Sequence, residues 1–328
     1  MSTSDVLHVP ELTGADVEVA LAELAAARER VYYDADADSA AAARYYGEVP
    51  PEQFADLVTR THVRTPGYKP ARELYPWVDL QPTGRLRSLY TSHEWDPEEL
   101  IRADLAIAQD RVRELTSRLG VPGAPDALEV LDEVEDALPF NCEHVVPQSW
   151  FGRREPMRGD LHHLFTCETR CNSFRGNTPY DEFADFPEPT AAGPALDQVS
   201  NDCGKSGAGR FEPAHRKGPA ARAVLYFLLR YPGLVEAREM PPERHRVLLA
   251  WHEGEPVTEW ERHRNAAISE RQGNRNPFID HPGLARRLVP VLARPARDAV
   301  EPARPGPGVG RPVTPTAVSG RTGERSSP

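Results

Sequence analysis

The sequence contains no long hydrophobic run. No stretch approaches the roughly 20 apolar residues that a membrane-spanning helix needs. Met1 to His8 have neither the basic start nor the apolar core that is typical of a secretory signal. The sequence therefore argues against a membrane protein, and we expect the protein in the cytoplasm.

Cysteine is also scarce, with 4 residues in a chain of 328. That number is too small for a disulfide scaffold, and a reducing compartment favours a metal site or a catalytic thiol. Hydrophobic residues make up 39% of the chain, which is enough for a full core. The length is typical of one large domain or two.

The chain lacks an overall positive charge. Its formal net charge is -11, although proteins that bind nucleic acid contact phosphates through Lys and Arg. The acidic residues are concentrated in the first part: Met1 to Glu143 contain 28 Asp and Glu against 13 Lys and Arg, a net charge of -15, and the remainder has +4. The second part can therefore present a basic face.

Apolar residues at helical spacing predict helices in several parts of the chain. Thr13 is a candidate cap for the first helix and Asp96 for the second. The predicted helices are Gly14 to Arg30, Pro97 to Leu119, Pro219 to Tyr231, Pro242 to Glu253 and Val257 to Arg271. Leu86 to Thr91 is the best candidate for a short strand.

Changes in composition divide the chain into three regions. We expect an acidic helical region at residues 1–80 and a domain at 81–292 that carries the polar motifs described below. Residues 293–328 are rich in Pro, Gly and Arg and have almost no apolar side chains to bury. This composition predicts a disordered, mildly basic tail.

Three polar runs in the second region contain the residues that could carry chemistry. The first, Asn141 to Gly152, includes Glu-His-Val-Val-Pro from Glu143. The second, Gly159 to Phe165, includes Asp-Leu-His-His-Leu from Asp160. The third, Cys167 to Asn177, includes Asn-Ser-Phe-Arg-Gly-Asn from Asn172. Functional residues are concentrated in these runs.

These residue types suit the hydrolysis of a phosphodiester, which needs an activated water and a Lewis acid for the leaving oxygen. His144 is the candidate general base, and Glu143 and Asn172 are the candidate ligands of a hard cation such as Mg²⁺, with Mn²⁺ or Ca²⁺ as alternatives. Adjacent side chains on a strand point to opposite faces. We therefore expect Glu143 and His144 in a bend or loop.

The three runs together resemble the bacterial endonuclease I family, a group of non-specific ββα-metal (His-Me finger) nucleases. The first run matches the family's Glu-His-Val-Val-Pro, in which the Glu binds the metal and the His is the base. The second run has His163 where the family has Asn. The third places the family's metal-binding Asn on Asn172, and the resemblance extends over about Leu86 to Pro282.

The resemblance implies a metal-dependent endonuclease whose partner is nucleic acid: DNA, with RNA as a further substrate, and products with 5′-phosphate ends. The fold expected is α+β and mostly helical, with a central ββα module. Its strands would lie near Phe140 to Val146 and His162 to Thr166, and its helix would start near Glu168.

Other polar residues in the same region have candidate supporting roles. Asp160 and His162 are expected to orient groups of the active site rather than to bind the metal. The candidate phosphate-binding residues are Arg158, Arg175 and Arg222, because an arginine can contact a phosphate with two parallel hydrogen bonds.

The cysteines lie in or near the same runs, and their state has three alternatives. The four residues are Cys142, Cys167, Cys171 and Cys203. One Zn²⁺ held by all four would tie together the segments that carry the candidate metal ligands. Disulfides and free buried thiols are the other two alternatives. A protease-like Cys142–His144 dyad is disfavoured, because no nucleophile loop surrounds Cys142.

A second function class is a non-catalytic, zinc-stapled protein that binds nucleic acid and retains the motif only as scaffold. The intact Glu143, His144 and Asn172 argue against it. A purely structural or interaction protein would leave the clustering of these polar residues unexplained.

Overall fold

We analysed a computed structural model of the chain, which describes residues 12–119, 127–186, 199–200 and 202–292. The prediction of a disordered tail at 293–328 lies outside these residues, and the boundary predicted between residues 80 and 81 stays a prediction. No helix in the described ranges is both long and apolar enough to cross a membrane.

Helices make up most of the described structure. Before the first polar run they are α1 (Gly14–Arg28), α2 (Ala35–Tyr46), α3 (Phe54–Thr61), α4 (Pro70–Glu73), α5 (Pro97–Leu119) and α6 (Ala127–Ala137). After it they are α7 (Thr169–Arg175), α8 (Lys217–Arg230), α9 (Pro242–Gly254), α10 (Glu259–Gln272), α11 (Pro277–Asp280) and α12 (Ala285–Leu292).

The strands are short and antiparallel. They are β1 (Leu86–Arg87) with β2 (Glu94–Trp95), β3 (Cys142–His144) with β4 (Leu164–Thr166), and the sheet of β5 (Val199–Ser200), β6 (Gly204–Gly207) and β7 (Arg210–Pro213). The predicted α+β, mostly helical fold is confirmed. The order β3, β4, α7 is the ββα arrangement expected from the polar runs.

The predicted helix starts are explained by their caps. Thr13 and Asp16 form a reciprocal capping box at the start of α1. At the start of α5, the Asp96 carboxylate accepts hydrogen bonds from the backbone N–H groups of Glu98 and Glu99. Each cap satisfies donors that the first turn of a helix leaves unpaired.

The predicted strand from Leu86 to Thr91 is wrong in length, because only Leu86 and Arg87 pair with β2. The chain then leaves this hairpin, and the Leu89 N–H donates to the Thr166 carbonyl of β4 over 2.8 Å. This turn directs Tyr90 toward the central sheet, where it contacts Glu143.

Helix α8 lies in the middle of the larger core. Nearly all of its residues from Gly218 to Leu229 are buried, and it packs against α9, α3, α11, α12 and the turn at Leu161–His163. Because this turn leads directly into β4, α8 supports the central ββα unit from one side. The second core cluster includes residues of α1, α4 and α5, and Cys142 at the start of β3.

Candidate active site

Strand β3 carries both Glu143 and His144, and its register with β4 pairs Glu143 with Phe165 and His144 with Leu164. The two side chains therefore point to opposite faces of the strand. Glu143 contacts Tyr90 and Arg175, whereas His144 packs against Tyr68 and His163. The bend or loop expected at this point is absent, and a regular strand takes its place.

The His144 ring is held in one orientation. Its Nε2 lies 2.9 Å from the backbone carbonyl oxygen of Arg158. A carbonyl can only accept, so this contact places the ring proton on Nε2 and leaves a lone pair on Nδ1. The Tyr68 ring packs against the imidazole with a centroid distance of 4.5 Å.

The electrostatic surroundings keep His144 neutral. The side chain is buried, and burial together with the neighbouring His163 holds the pKa of His144 well below its usual range. A buried imidazolium would lose its hydration, so the neutral ring is favoured. At neutral pH the residue is therefore in the form that can accept a proton.

A chain of close contacts brings Tyr68 and Arg158 to this histidine. A Cβ atom added to Gly159 would lie 2.7 Å from the backbone of Gly67. Only glycine allows two backbones to approach this closely. The segments that carry Tyr68 and Arg158 therefore meet beside His144 because position 159 has no side chain.

Glu143 is 1% exposed and lies in a polar cluster. Its Oε1 accepts hydrogen bonds from the Tyr90 hydroxyl at 2.7 Å and from Arg175 Nη1 at 2.5 Å. The Tyr180 hydroxyl in turn hydrogen-bonds to that of Tyr90. Burial raises the pKa of Glu143, and the Arg175 charge and the Tyr90 hydrogen bond act in the opposite direction.

Asn172 lies on α7, next to β3. Its Nδ2 donates to the Cys142 carbonyl over 3.0 Å, so the side-chain oxygen is turned away from that contact. The second oxygen of Glu143 has no hydrogen-bond donor among the described residues. One carboxylate and one amide oxygen, on adjoining elements, are therefore present as donors of the type that Mg²⁺ prefers.

No group of three or more His, Cys, Asp or Glu side chains within the described ranges is arranged to hold a metal ion. A site built on Glu143 and Asn172 would have only two protein ligands. Mg²⁺ commonly keeps several waters and binds through one or two carboxylates plus substrate phosphate oxygens. The donor set therefore fits a magnesium site that substrate completes.

The arginines predicted to contact phosphate bind other groups of the protein in the structure. Arg175 is 1% exposed, and besides Glu143 it donates to the carbonyls of His144, Val145 and Thr178. Arg222 is equally buried and forms a two-pronged ion pair with Glu261 over 2.6 and 2.9 Å. The sequence did not predict these internal roles.

Arg158 is less buried than the other two arginines, with 15% of its side chain exposed. Its guanidinium pairs with Glu135 and donates to Gln148, and it lies over the Tyr68 ring. The side chain therefore contributes to the wall of the site. The phosphate-binding role stays a prediction for all three arginines.

Asp160 is the centre of a buried hydrogen-bond network. Its Oδ2 accepts hydrogen bonds from the hydroxyls of Tyr226, which lies on α8, and Tyr231, which follows α8, at 2.8 and 2.9 Å. Its Oδ1 accepts from the amide of Gln272 and from the backbone N–H of His162. The network fixes the turn that leads into β4. The role predicted for Asp160 in orienting groups of the active site stays a prediction.

His162 is buried beside this carboxylate. Burial lowers the pKa of His162 to about 4, although Asp160 acts in the opposite direction. Burial alone would raise the pKa of Asp160, but His62, His162 and His163 lower it to about 2. Both groups therefore bind protons more weakly in the folded protein than in the unfolded chain.

This difference predicts a loss of stability in acid. The folded pKa of His162 is below its ordinary 6.5, so its contribution is complete above pH 6.5 and is lost as the pH falls toward 4. Asp160 behaves in the same way between pH 3.8 and about 2. Each contribution is on the order of 2 to 3 kcal/mol. Urea unfolding at a series of pH values measures both.

The variant His162→Gln is the control, because it removes one of the buried histidines whose lowered pKa places their titration in the first of these two pH windows. We expect a shallower pH dependence of its unfolding free energy between pH 6.5 and 4. A wild-type unfolding free energy that is constant from pH 7 to pH 4 would contradict the predicted linkage.

The four cysteines do not share one environment. Cys171 and Cys203 form a disulfide, which links the residue before Asn172 to the start of the β6–β7 hairpin. Cys142 and Cys167 are buried free thiols. The structure therefore shows the disulfide alternative for one pair and the free-thiol alternative for the other. A zinc ion held by all four stays a prediction that would require this disulfide to be reduced.

Several residues of the site were not predicted from the sequence. They are Tyr68, Tyr90, Tyr180, Glu135 and the backbone carbonyl of Arg158. The tyrosines and Glu135 lie outside the three polar runs, so local composition gave no signal for them. A backbone carbonyl leaves no trace in a sequence at all.

Fold and site together define an α+β domain with a central ββα unit, in which a neutral, oriented histidine follows a buried glutamate. Residues 129–283 match the family model described as Endonuclease I. This match confirms the resemblance predicted from the polar runs: residues 129–283 are similar to the endonuclease I family.

Individual relatives have names of two kinds. The extracellular ribonuclease of Bacillus subtilis (strain 168) is 34% identical over 171 residues, which cover 46% of this chain and 54% of the relative. The extracellular ribonuclease of Bacillus amyloliquefaciens is 35% identical over 165 residues, 45% and 53% of the two chains. The periplasmic deoxyribonuclease of Aeromonas hydrophila is 29% identical over 166 residues, 44% and 64%. The alignments thus span about half the length of the two ribonucleases.

Proposed function

We propose that this protein is a metal-dependent endonuclease that hydrolyses phosphodiester bonds of nucleic acid. The observation that carries the proposal is the state of His144. Its Nε2 is held by the Arg158 carbonyl and its pKa is well below the usual range, so Nδ1 is a free base at neutral pH. The adjacent residue is the buried Glu143, in the order that the endonuclease I match implies.

In the proposed reaction His144 Nδ1 accepts a proton from a water molecule as that water attacks phosphorus. The bond between phosphorus and the 3′-oxygen breaks, the leaving oxygen takes a proton from solvent water, and the products have 3′-hydroxyl and 5′-phosphate ends. The Arg158 carbonyl stabilises the imidazolium that forms, because it accepts a hydrogen bond from the Nε2–H group throughout the reaction. The Tyr68 ring keeps the imidazole plane in place.

Glu143 and Asn172 would hold the cation, which we propose to be Mg²⁺, with Mn²⁺ or Ca²⁺ as alternatives. Because Glu143 and His144 point to opposite faces of β3, the proposal requires the scissile phosphate to reach both side chains across this short strand. When bound, such an ion stabilises negative charge on the leaving oxygen. Tyr90 and Arg175 orient the Glu143 carboxylate through Oε1 and so direct Oε2 away from them. The Asn172 amide is oriented in the same manner by the Cys142 carbonyl.

The names of the relatives support both types of substrate. Two are called ribonucleases and one a deoxyribonuclease. We therefore propose DNA as a substrate and RNA as a second one. The chemistry favours neither, because a water attack on phosphorus does not require the ribose 2′-hydroxyl.

A cleavage assay with and without metal tests this function. Supercoiled plasmid and a folded RNA are each incubated with the full chain in Mg²⁺, and in parallel with EDTA. We expect nicked and then linear plasmid, and shortened RNA, in Mg²⁺ alone. End-labelling with and without prior phosphatase treatment identifies 5′-phosphate products.

The variant His93→Ala is the matched control, because His93 is exposed and contacts only Trp95 among the described rings. It should cleave at the wild-type rate. If the protein binds plasmid but cleaves it in none of Mg²⁺, Mn²⁺ and Ca²⁺, the proposal is overturned in favour of a non-catalytic nucleic-acid-binding protein. Cleavage that EDTA leaves unchanged would overturn the metal dependence.

A further inference from the structure

Arg158 links the candidate general base to a distant carboxylate. Its backbone carbonyl accepts a hydrogen bond from His144 Nε2–H, and its guanidinium forms an ion pair of 2.5 Å with Glu135 on α6. We propose that Glu135 is a positioning residue for His144, acting through Arg158. This inference rests on the proposed function for its effect on catalysis.

Glu135 contacts both ends of one short segment. Besides Arg158 Nη2, its carboxylate lies 3.3 Å from Arg153 Nη1. Its side chain is only 6% exposed. Charge pairs that are this poorly hydrated have strong interactions and are costly to break singly. Asp132 and Asp136 of α6 also pair with Arg153, at 2.9 and 2.8 Å, so Glu135 is the carboxylate that ties the Arg158 end of the segment to α6.

The side chains around this ion pair are not tightly packed. A cavity of about 110 Å³ lies beside it, lined among others by Tyr68, Phe140, Glu135 and Arg158. The segment has space to move into if the pair is lost. Gln148 also contacts both ends of the segment, through its side-chain oxygen at 3.1 Å from Arg158 Nε and its backbone carbonyl at 3.0 Å from the Arg153 nitrogen, but it is neutral and carries no charge to pair with Arg158.

The consequence for His144 concerns its tautomer and its orientation. Free imidazole exchanges its proton between the two nitrogens, and only an acceptor fixed at Nε2 leaves Nδ1 as the base. If the Arg158 carbonyl moves, a fraction of the molecules has the proton on Nδ1, where it blocks the abstraction of a proton from water. Glu135 would therefore affect turnover without touching substrate.

Two variants of Glu135 test this role against a control on the same helix. Glu135→Ala removes the acceptor for Arg158, whereas Glu135→Gln retains an oxygen at nearly the same place. Glu133→Ala is the control, because Glu133 pairs with the exposed Arg118 at 2.8 Å. We expect Glu135→Ala to lower kcat by roughly tenfold with KM nearly unchanged, since a general base contributes about 10² to 10⁴ and only its placement is lost.

Glu135→Gln should recover most of the lost kcat, and Glu133→Ala should match wild type. The inference is overturned if the Glu133 control loses as much activity as Glu135→Ala, or if Glu135→Ala changes KM alone. The glutamine variant keeps the inference testable if the alanine variant does not fold.

A second readout does not depend on cleavage. In protein labelled with ¹⁵N-histidine, the two ring nitrogens of neutral His144 have different chemical shifts according to which one carries the proton. We expect wild type to show the Nε2–H tautomer and Glu135→Ala to show a mixture. An unchanged tautomer in Glu135→Ala would overturn the inference even if the protein is a nuclease. The expected mixture in a protein that cleaves no nucleic acid would support the contact and overturn only the proposed function.

Discussion

Replacing His144 by alanine is expected to lower the rate of phosphodiester cleavage by about 10² to 10⁴, the contribution typical of a positioned general base. The reason is the geometry around the ring. Nε2 is occupied by the Arg158 carbonyl, so Nδ1 is the basic nitrogen, and the low pKa keeps it unprotonated at neutral pH. Single-turnover cleavage of labelled duplex DNA measures the loss directly.

Substrate binding should change little in His144→Ala, because a neutral imidazole adds no charge to attract phosphate. A filter-binding measurement in EDTA and a thermal unfolding curve separate the loss of chemistry from a loss of binding or of fold. A variant that keeps more than about a tenth of the wild-type rate would show that another group is the base.

Replacing Arg175 by methionine is expected to destabilise the fold by about 3 to 5 kcal/mol, which is typical when one partner of a buried ion pair is removed. Arg175 is paired with Glu143, and both side chains are 1% exposed. The variant would leave the Glu143 carboxylate buried without its cation. It would also leave three backbone carbonyls without their donor.

Urea unfolding gives the free energy, and two further variants assign the cause. Arg102→Met is the control, because Arg102 pairs with Glu98 at the surface of α5 and should cost less than about 1 kcal/mol. The double variant Glu143→Gln with Arg175→Met should be more stable than Arg175→Met, since it no longer buries an unpaired charge. A loss below about 1 kcal/mol in Arg175→Met would contradict the structural role.

The motifs alone predicted the role of His144 as the base, but not the structural role of Arg175. The third polar run contains Arg175, which was predicted as a phosphate contact because an arginine can form two parallel hydrogen bonds to a phosphate. Folding instead turns α7 so that the Arg175 side chain passes behind β3 and meets three carbonyls and Glu143. Arg222 illustrates the same limit, since its partner Glu261 is 39 residues away in the sequence.

The sequence by itself determined the helices α1, α5, α8, α9 and α10, of which α1, α5 and α10 also have side-chain caps. It also determined the order β3, β4, α7 and the resemblance to the endonuclease I family, because adjacent residues in three runs carry that information. Helix α2 has a weaker signal, since its run of Ala and Asp residues has only one buried position, Tyr46. A periodicity argument has nothing to detect there.

Only the tertiary structure decided how the site is assembled. The Arg158 carbonyl that fixes the His144 tautomer, the Tyr90 hydroxyl on Glu143, and the Tyr226 and Tyr231 hydroxyls on Asp160 all come from segments separated from their partners along the chain. Such contacts depend on the packing of α8 and on the close approach at Gly159. Local sequence encodes which groups are present, whereas their pKa, tautomer and orientation follow from the neighbours that folding places around them.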